Sequence, residues 1–132
     1  MVYKSFYEFG ISDKVLVALS DMGFEEPTPI QKLTIPPALQ KKDIIGQAQT
    51  GTGKTAAFGI PLIEQRPEVS GKYPYAIVLA PTRELAVQVS AEINKIGARA
   101  GAIALPVYGG QSIELQIRSL KRGVGIVVGT PG

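Results

Sequence analysis

The segment Ala48-Gln49-Thr50-Gly51-Thr52-Gly53-Lys54-Thr55 carries the residue types that hold a nucleotide polyphosphate. Gly51 and Gly53 lack a Cβ, so the backbone can curl tightly around an anion. That curl turns successive N–H groups toward the phosphates, and a helix beginning there adds its positive N-terminal end. Lys54 has the reach to meet the terminal phosphates, and Thr55 offers a hydroxyl to the Mg²⁺ that accompanies them. The strict pattern opens on Gly, and here the small residue Ala48 stands in its place.

Such a loop needs a strand before it and a helix after it. Asp43-Ile44-Ile45-Gly46-Gln47 reads as a short buried strand. Thr55 through Glu64 reads as a helix with apolar residues at helical spacing. Pro61 is expected to bend its axis, because it removes one hydrogen bond. Upstream, Ser12 caps a first helix whose stripe is Val15, Leu16, Leu19 and Met22, with Gly23 closing it. Thr28 caps a second, with Pro29 in the first turn and Gln31 in the capping-box position. Pro36-Pro37 signals its end, with room for one further turn to Gln40.

Downstream of a surface connection over 66–72, Tyr75-Ala76-Ile77-Val78-Leu79-Ala80 is a nearly continuous apolar run, as in a strand covered on both faces. Further strands are expected over 102–108 and 125–128, with helices starting after Thr82 and Ser112. This alternation predicts an α/β fold, a doubly wound and mostly parallel sheet with helices on both faces. Ligands in such sheets bind beyond the carboxyl ends of the strands. The loops 48–55, 81–84, 109–111 and 130–132 should therefore share one edge.

The bulk numbers set limits. A chain of 132 residues with 45% hydrophobic and 19% charged residues suits one globular domain. No apolar run approaches the ~18–20 residues of a membrane span, and no signal-peptide core is visible, so a cytoplasmic address is the default. Cysteine and histidine are absent, which excludes disulfides, thiol nucleophiles, their metal sites and a Ser-His-Asp triad. A net charge of +3 permits a polyanionic partner without arguing for one.

The order of motifs resembles the amino-terminal part of a DEAD-box ATP-dependent RNA helicase, a P-loop NTPase of the RecA-like superfamily. Gly23-Phe24-Glu25-Glu26-Pro27-Thr28-Pro29-Ile30-Gln31 is similar to that family's Q motif, with Phe6 where the family places an upstream aromatic. Ala48–Thr55 is similar to motif I, and Pro81-Thr82-Arg83-Glu84-Leu85-Ala86 to motif Ia. Gly109-Gly110 and Thr130-Pro131-Gly132 are similar to the GG element and motif Ib. The resemblance divides the chain into a Q-motif region, residues 1–34, and a partial RecA-like ATP-binding domain, residues 35–132. It implies ATP with Mg²⁺ as cofactors, and single-stranded or duplex RNA as partner.

The resemblance also assigns roles. Gln31 would read adenine, since an amide can donate and accept at once, and Phe6 would stack on the base. Read without the family, Gln31 closes the capping box at Thr28, and both roles can hold together. Pro81, Thr82 and Arg83 would touch the RNA backbone, with Gly109, Gly110, Thr130 and Gly132 offering close approach. Arg83 opposes the helix dipole by about 0.3–1 kcal/mol, so it needs an anion nearby. A surface pair with Glu84 would also serve. Tyr73, Tyr75 and Tyr108 read as packing or surface groups, because no evenly spaced aromatic platform is present.

The Asp-Glu-Ala-Asp and Ser-Ala-Thr motifs and the second RecA-like domain with its arginine fingers are not in the sequence. The isolated chain is therefore expected not to turn over ATP, although the parent should. By the resemblance, the absent strands flank the one before the phosphate loop. Ile44 and Ile45 would then lose partners, leaving a sheet edge open to self-association. A non-catalytic adenine-nucleotide or RNA-binding module is the alternative function. A DNA-acting relative is disfavoured by the Q motif.

Overall fold

A computed structural model describes residues 5–49, 51, 53–67 and 73–131. Its helices are α1 (Asp13–Asp21), α2 (Pro29–Leu39), α3 (Lys54–Glu64), α4 (Arg83–Gly97) and α5 (Ile113–Lys121). The strands are β1 (Ala76–Leu79), β2 (Ala104–Val107) and β3 (Ile126–Gly129). Short 3₁₀ turns at Phe6–Phe9 and Ala98–Ala100 complete the elements.

The helix boundaries follow local chemistry. Ser12 precedes α1, and Gly23 (φ 84°) lets the chain reverse at its end, where Phe24 N–H donates to Leu19 O. The Thr82 hydroxyl accepts from Leu85 N–H at 3.1 Å to start α4, and Ser112 accepts from Leu115 N–H at 3.4 Å to start α5. Helix α2 continues through Pro36 and Pro37 to Leu39, and α3 continues through Pro61 to Glu64. Of the two sequence readings for α2, the extra turn is the one realised.

The strands are parallel in the order β1-β3-β2. Going from β1 to β2 the chain crosses two places, and from β2 to β3 it steps one place back. With right-handed crossovers, that reversal puts α4 and α5 on opposite faces, which makes the sheet doubly wound. The first face is the core: Val128 and Ile126 lie beneath Val89, Ile93 and Ile96 of α4, with Ile60 and Ile63 of α3 alongside. Two expectations fail at the other side. β1 is not covered on both faces, since Ile77 and Leu79 are 74% and 70% exposed. Helix α5 packs against β2, at the far edge, and leaves them bare.

The second failure concerns Asp43–Gln47, which is not a strand; Ile45 is 98% exposed. A cavity of about 880 Å³ lies between this segment and β1, lined by Ile44 and Gly46 on one side and Ile77–Ala80 on the other. Among the described residues no strand pairs with this segment, so its backbone has no ladder to join. Gly46 instead lies close against α2, where a Cβ would come 3.2 Å from Ile30 Cδ1.

Candidate nucleotide and nucleic-acid site

The phosphate loop closes on α3. Gly51 (φ 84°) and Gly53 (φ 79°) are left-handed, a conformation that side chains make costly, and Gly53 is the N-cap residue of α3. Lys54 is exposed and Thr55 half-buried in the first turn of α3. Both line the cavity that runs along β1 to Ala80, so the loop lies beside the carboxyl end of that strand. Ala48 and Gln49 lead into the loop; Thr50 and Thr52 lie outside the described residues, as does Gly132.

Gln31 is 2% exposed and both ends of its amide are engaged. Its Oε1 accepts from Thr28 N–H at 2.9 Å, the capping-box contact. Its Nε2 donates to Gly53 O at 3.1 Å, tying α2 to the phosphate loop. Gly53 has a second reason to be glycine: a Cβ there would displace the Gln31 amide from its bond to Gly53 O. The return contact of the box, from Gln31 N–H toward the Thr28 hydroxyl, is in place but looser than a hydrogen bond. Thr28 Oγ1 is therefore buried without a partner.

Phe6 is a member of the core, 5% exposed. Its ring stacks on Phe24 at 6.0 Å and meets the edge of Phe9 at 5.9 Å. Stacking on a base would require this aromatic cluster to open. A separate contact seats the amino-terminal helices. Ser12 N–H and its hydroxyl both donate to Glu64 Oε1, at 3.0 and 2.8 Å, joining the start of α1 to the end of α3.

The strand register brings the other candidate residues together. Leu79, Gly129 and Val107 are aligned across the sheet, so the loops after them leave at one level. Pro81, Thr82, Arg83, Gly109, Gly110 and Pro131 are exposed there, and Thr130 is half-buried. Thr130 N–H donates to Val107 O at 3.2 Å, holding two of the loops together. Gly110 (φ 82°) lies against Arg83: a Cβ there would be 2.8 Å from Nη1. Arg83 forms no ion pair with Glu84 or with any other carboxylate among the described residues. Its charge thus stands at the N-terminus of α4 without a partner, where the helix dipole disfavours it.

Two side chains that the sequence did not single out hold the outer edge of β2, Gln116 at this rim and Asn94 at the opposite end of the strand. Gln116 Oε1 accepts from Tyr108 N–H at 3.1 Å, and its Nε2 donates to Tyr108 O at 3.0 Å. Asn94 makes the same pair of bonds with Ala104, at 2.8 and 2.9 Å. Nothing in the local sequence signals either, since both amides sit within ordinary helical patterns.

Comparison with known proteins shows the family. The family model described as DEAD/DEAH box helicase matches residues 28–132. The chain is 59% identical over 128 residues to DEAD-box ATP-dependent RNA helicase CshA of Geobacillus kaustophilus, covering 97% of this chain and 27% of that protein. It is 59% identical over 130 residues to the Bacillus subtilis protein of the same name, covering 97% and 26%. Among solved structures, a DEAD box protein from the hyperthermophile Methanococcus jannaschii superposes with a TM-score of 0.90 at 47% identity, covering 98% of this chain and 35% of that one. The RNA helicase Prp28 from Chaetomium thermophilum bound to ADP gives 0.87 at 42% identity, covering 97% and 32%. The chain thus spans about a quarter of the length of the curated relatives and about a third of the solved chains.

Proposed function

The chain belongs to the DEAD/DEAH box helicase family, and from that premise we propose that it is the ATP- and RNA-binding amino-terminal part of an ATP-dependent RNA helicase. The whole protein would remodel or unwind short RNA duplexes, with a second RecA-like domain as the partner of this one. The observation that carries the reading is the aligned ends of the three strands, which gather Arg83, Gly110 and Thr130 on one exposed rim beside the phosphate loop.

On this reading the residues fit a nucleotide triphosphate. Two left-handed glycines open onto an eleven-residue helix, and that pairing suits an anion. Lys54 would hold the terminal phosphates, and Thr55 would ligate Mg²⁺, which would neutralise charge on the phosphates. Gln31 would select adenine, and Phe6 would stack on it. Because Gln31 is buried against Gly53, the phosphate loop has to shift before a base can reach that amide. Arg83 would gain from an RNA phosphate what it loses to the dipole of α4.

Two further assignments are part of the proposal. The place of action is the cytoplasm; among the described residues no helix is long and apolar enough to cross a membrane. The β1 edge, with Ile77 and Leu79 exposed, would admit a second copy of this chain.

The test is nucleotide and RNA binding by the full-length protein. Gln31→Ala is expected to narrow the preference for ATP over GTP, and unchanged selectivity would remove the adenine assignment. Arg83→Ala is expected to weaken binding of a single-stranded RNA evenly across sequences and to reduce its salt dependence. Intact RNA affinity in that variant would remove the RNA reading of the rim.

A further inference from the structure

The geometry points to Gln116 as a positioning residue for the RNA rim, a role that rests on the RNA reading above. Tyr108 is the last residue before the Gly109-Gly110 turn. The carbonyls of Ile103 and Val107 are used by β3 and its flanking residues. By strand alternation, the backbone groups of Ala104, Pro106 and Tyr108 therefore face away from the sheet. No strand lies there among the described residues. The buried amide of Gln116 takes both the N–H and the C=O of Tyr108, doing for that residue what a neighbouring strand would do.

The consequence reaches the ligand edge through two residues. Fixing Tyr108 fixes where the turn begins, and Gly110 in that turn lies against the Arg83 guanidinium. Where Gly110 sits thus limits where Arg83 can sit. The chemistry calls for an amide of this length. A carboxylate can accept from Tyr108 N–H but cannot donate to Tyr108 O, a leucine does neither, and asparagine is one methylene shorter. Asn94 supplies an internal control, since it makes the same two bonds to Ala104 at the other end of β2, away from the rim.

The experiment measures the affinity of the full-length protein for a single-stranded oligouridine, with thermal midpoints recorded alongside. Gln116→Leu is expected to weaken RNA binding by about 3- to 10-fold, the size of one or two mispositioned polar contacts. Asn94→Leu is expected to lower the thermal midpoint while leaving RNA affinity within about twofold, because sites without shared partners act independently. The double variant Gln116→Leu with Arg83→Ala is expected to bind no worse than Arg83→Ala alone, a non-additivity that general destabilisation does not produce. Gln116→Glu, closer in shape, carries the same comparison if the leucine variant does not fold, and is expected to weaken binding in the same direction. Unchanged RNA affinity in the folded Gln116 variant, or an equal loss in Asn94→Leu, overturns the assignment. A normal affinity in Arg83→Ala instead removes the RNA reading, and this inference with it.

Discussion

The two edges of the sheet are treated in opposite ways. Along β2, the outward backbone groups of Ala104 and Tyr108 are taken by Asn94 and Gln116. Pro106 between them has no N–H to offer. Along β1, Ala76 and Ala80 N–H groups turn toward β3, so the groups of Ile77 and Leu79 face outward over an apolar cavity. Those side chains are also bare. An edge strand whose backbone groups are open is a template for another chain, whereas one whose groups are used is not. The β2 side is a finished boundary. The β1 side is left open among the described residues.

The largest expected effect is at the closed edge. Asn94→Leu leaves both backbone groups of the buried Ala104 unpaired, and a loss of about 2–3 kcal/mol in a urea titration is expected. A change below about 0.5 kcal/mol would mean that the amide is decoration and the edge is held by packing alone. The next effect belongs to the open edge. A lysine at Leu79 is expected to weaken any concentration-dependent association at least about tenfold without lowering the thermal midpoint, because a charge on an exposed edge opposes pairing. Sedimentation across a concentration series reads this, and equal association of both proteins would move the contact elsewhere.

Pro106→Ala restores an outward N–H on β2 at a cost or gain of less than about 0.5 kcal/mol. It is expected to raise slow aggregation on storage, followed by light scattering; an unchanged rate would show that the two amides suffice. The smallest effect is at the start of β1, where the Tyr75 hydroxyl donates to Leu62 O at 2.9 Å. Burial raises the pKa of Tyr75 above the ordinary 10.0, against an opposing pull from Arg66. The fold therefore favours the neutral phenol. Its contribution is whole below 10.0 and is lost as pH rises through the higher folded value. A small fall in the urea midpoint above that pH, absent in Tyr75→Phe, is the expected result.

What the sequence revealed and what it concealed differ in kind. The helix starts after Ser12, Thr28, Thr82 and Ser112 were legible because the signals are local, and at Thr82 and Ser112 the hydroxyl makes the cap. The Ser12 hydroxyl does not cap α1 and is spent on Glu64 instead. The loops at Pro81–Arg83, Gly109–Gly110 and Thr130 were legible because parallel strands deliver their carboxyl ends to one side. The stretch Ile44-Ile45 has the composition of a strand and is none, because a strand is made by its neighbour and composition cannot supply one. Phe6 was read as a base-stacking group, and its packing on Phe24 was invisible at a separation of eighteen residues. The amides of Asn94 and Gln116 were hidden for the same reason. Their partners are backbone groups, which every residue carries alike.

The hydrogen bond from Gln31 to Gly53 O has a thermodynamic consequence for any nucleotide that binds here. One amide stands between the place proposed for the base and the place proposed for the phosphates, so the two halves of a ligand draw on a common contact. Their contributions to affinity are then not additive, and the shortfall or surplus should be about the worth of one buried hydrogen bond, ~1 kcal/mol. Comparing tripolyphosphate, adenosine and ATP on one protein measures it, and strict additivity would dissolve the linkage. Selectivity for a base, on this view, is encoded partly in how firmly the empty protein grips its own loop.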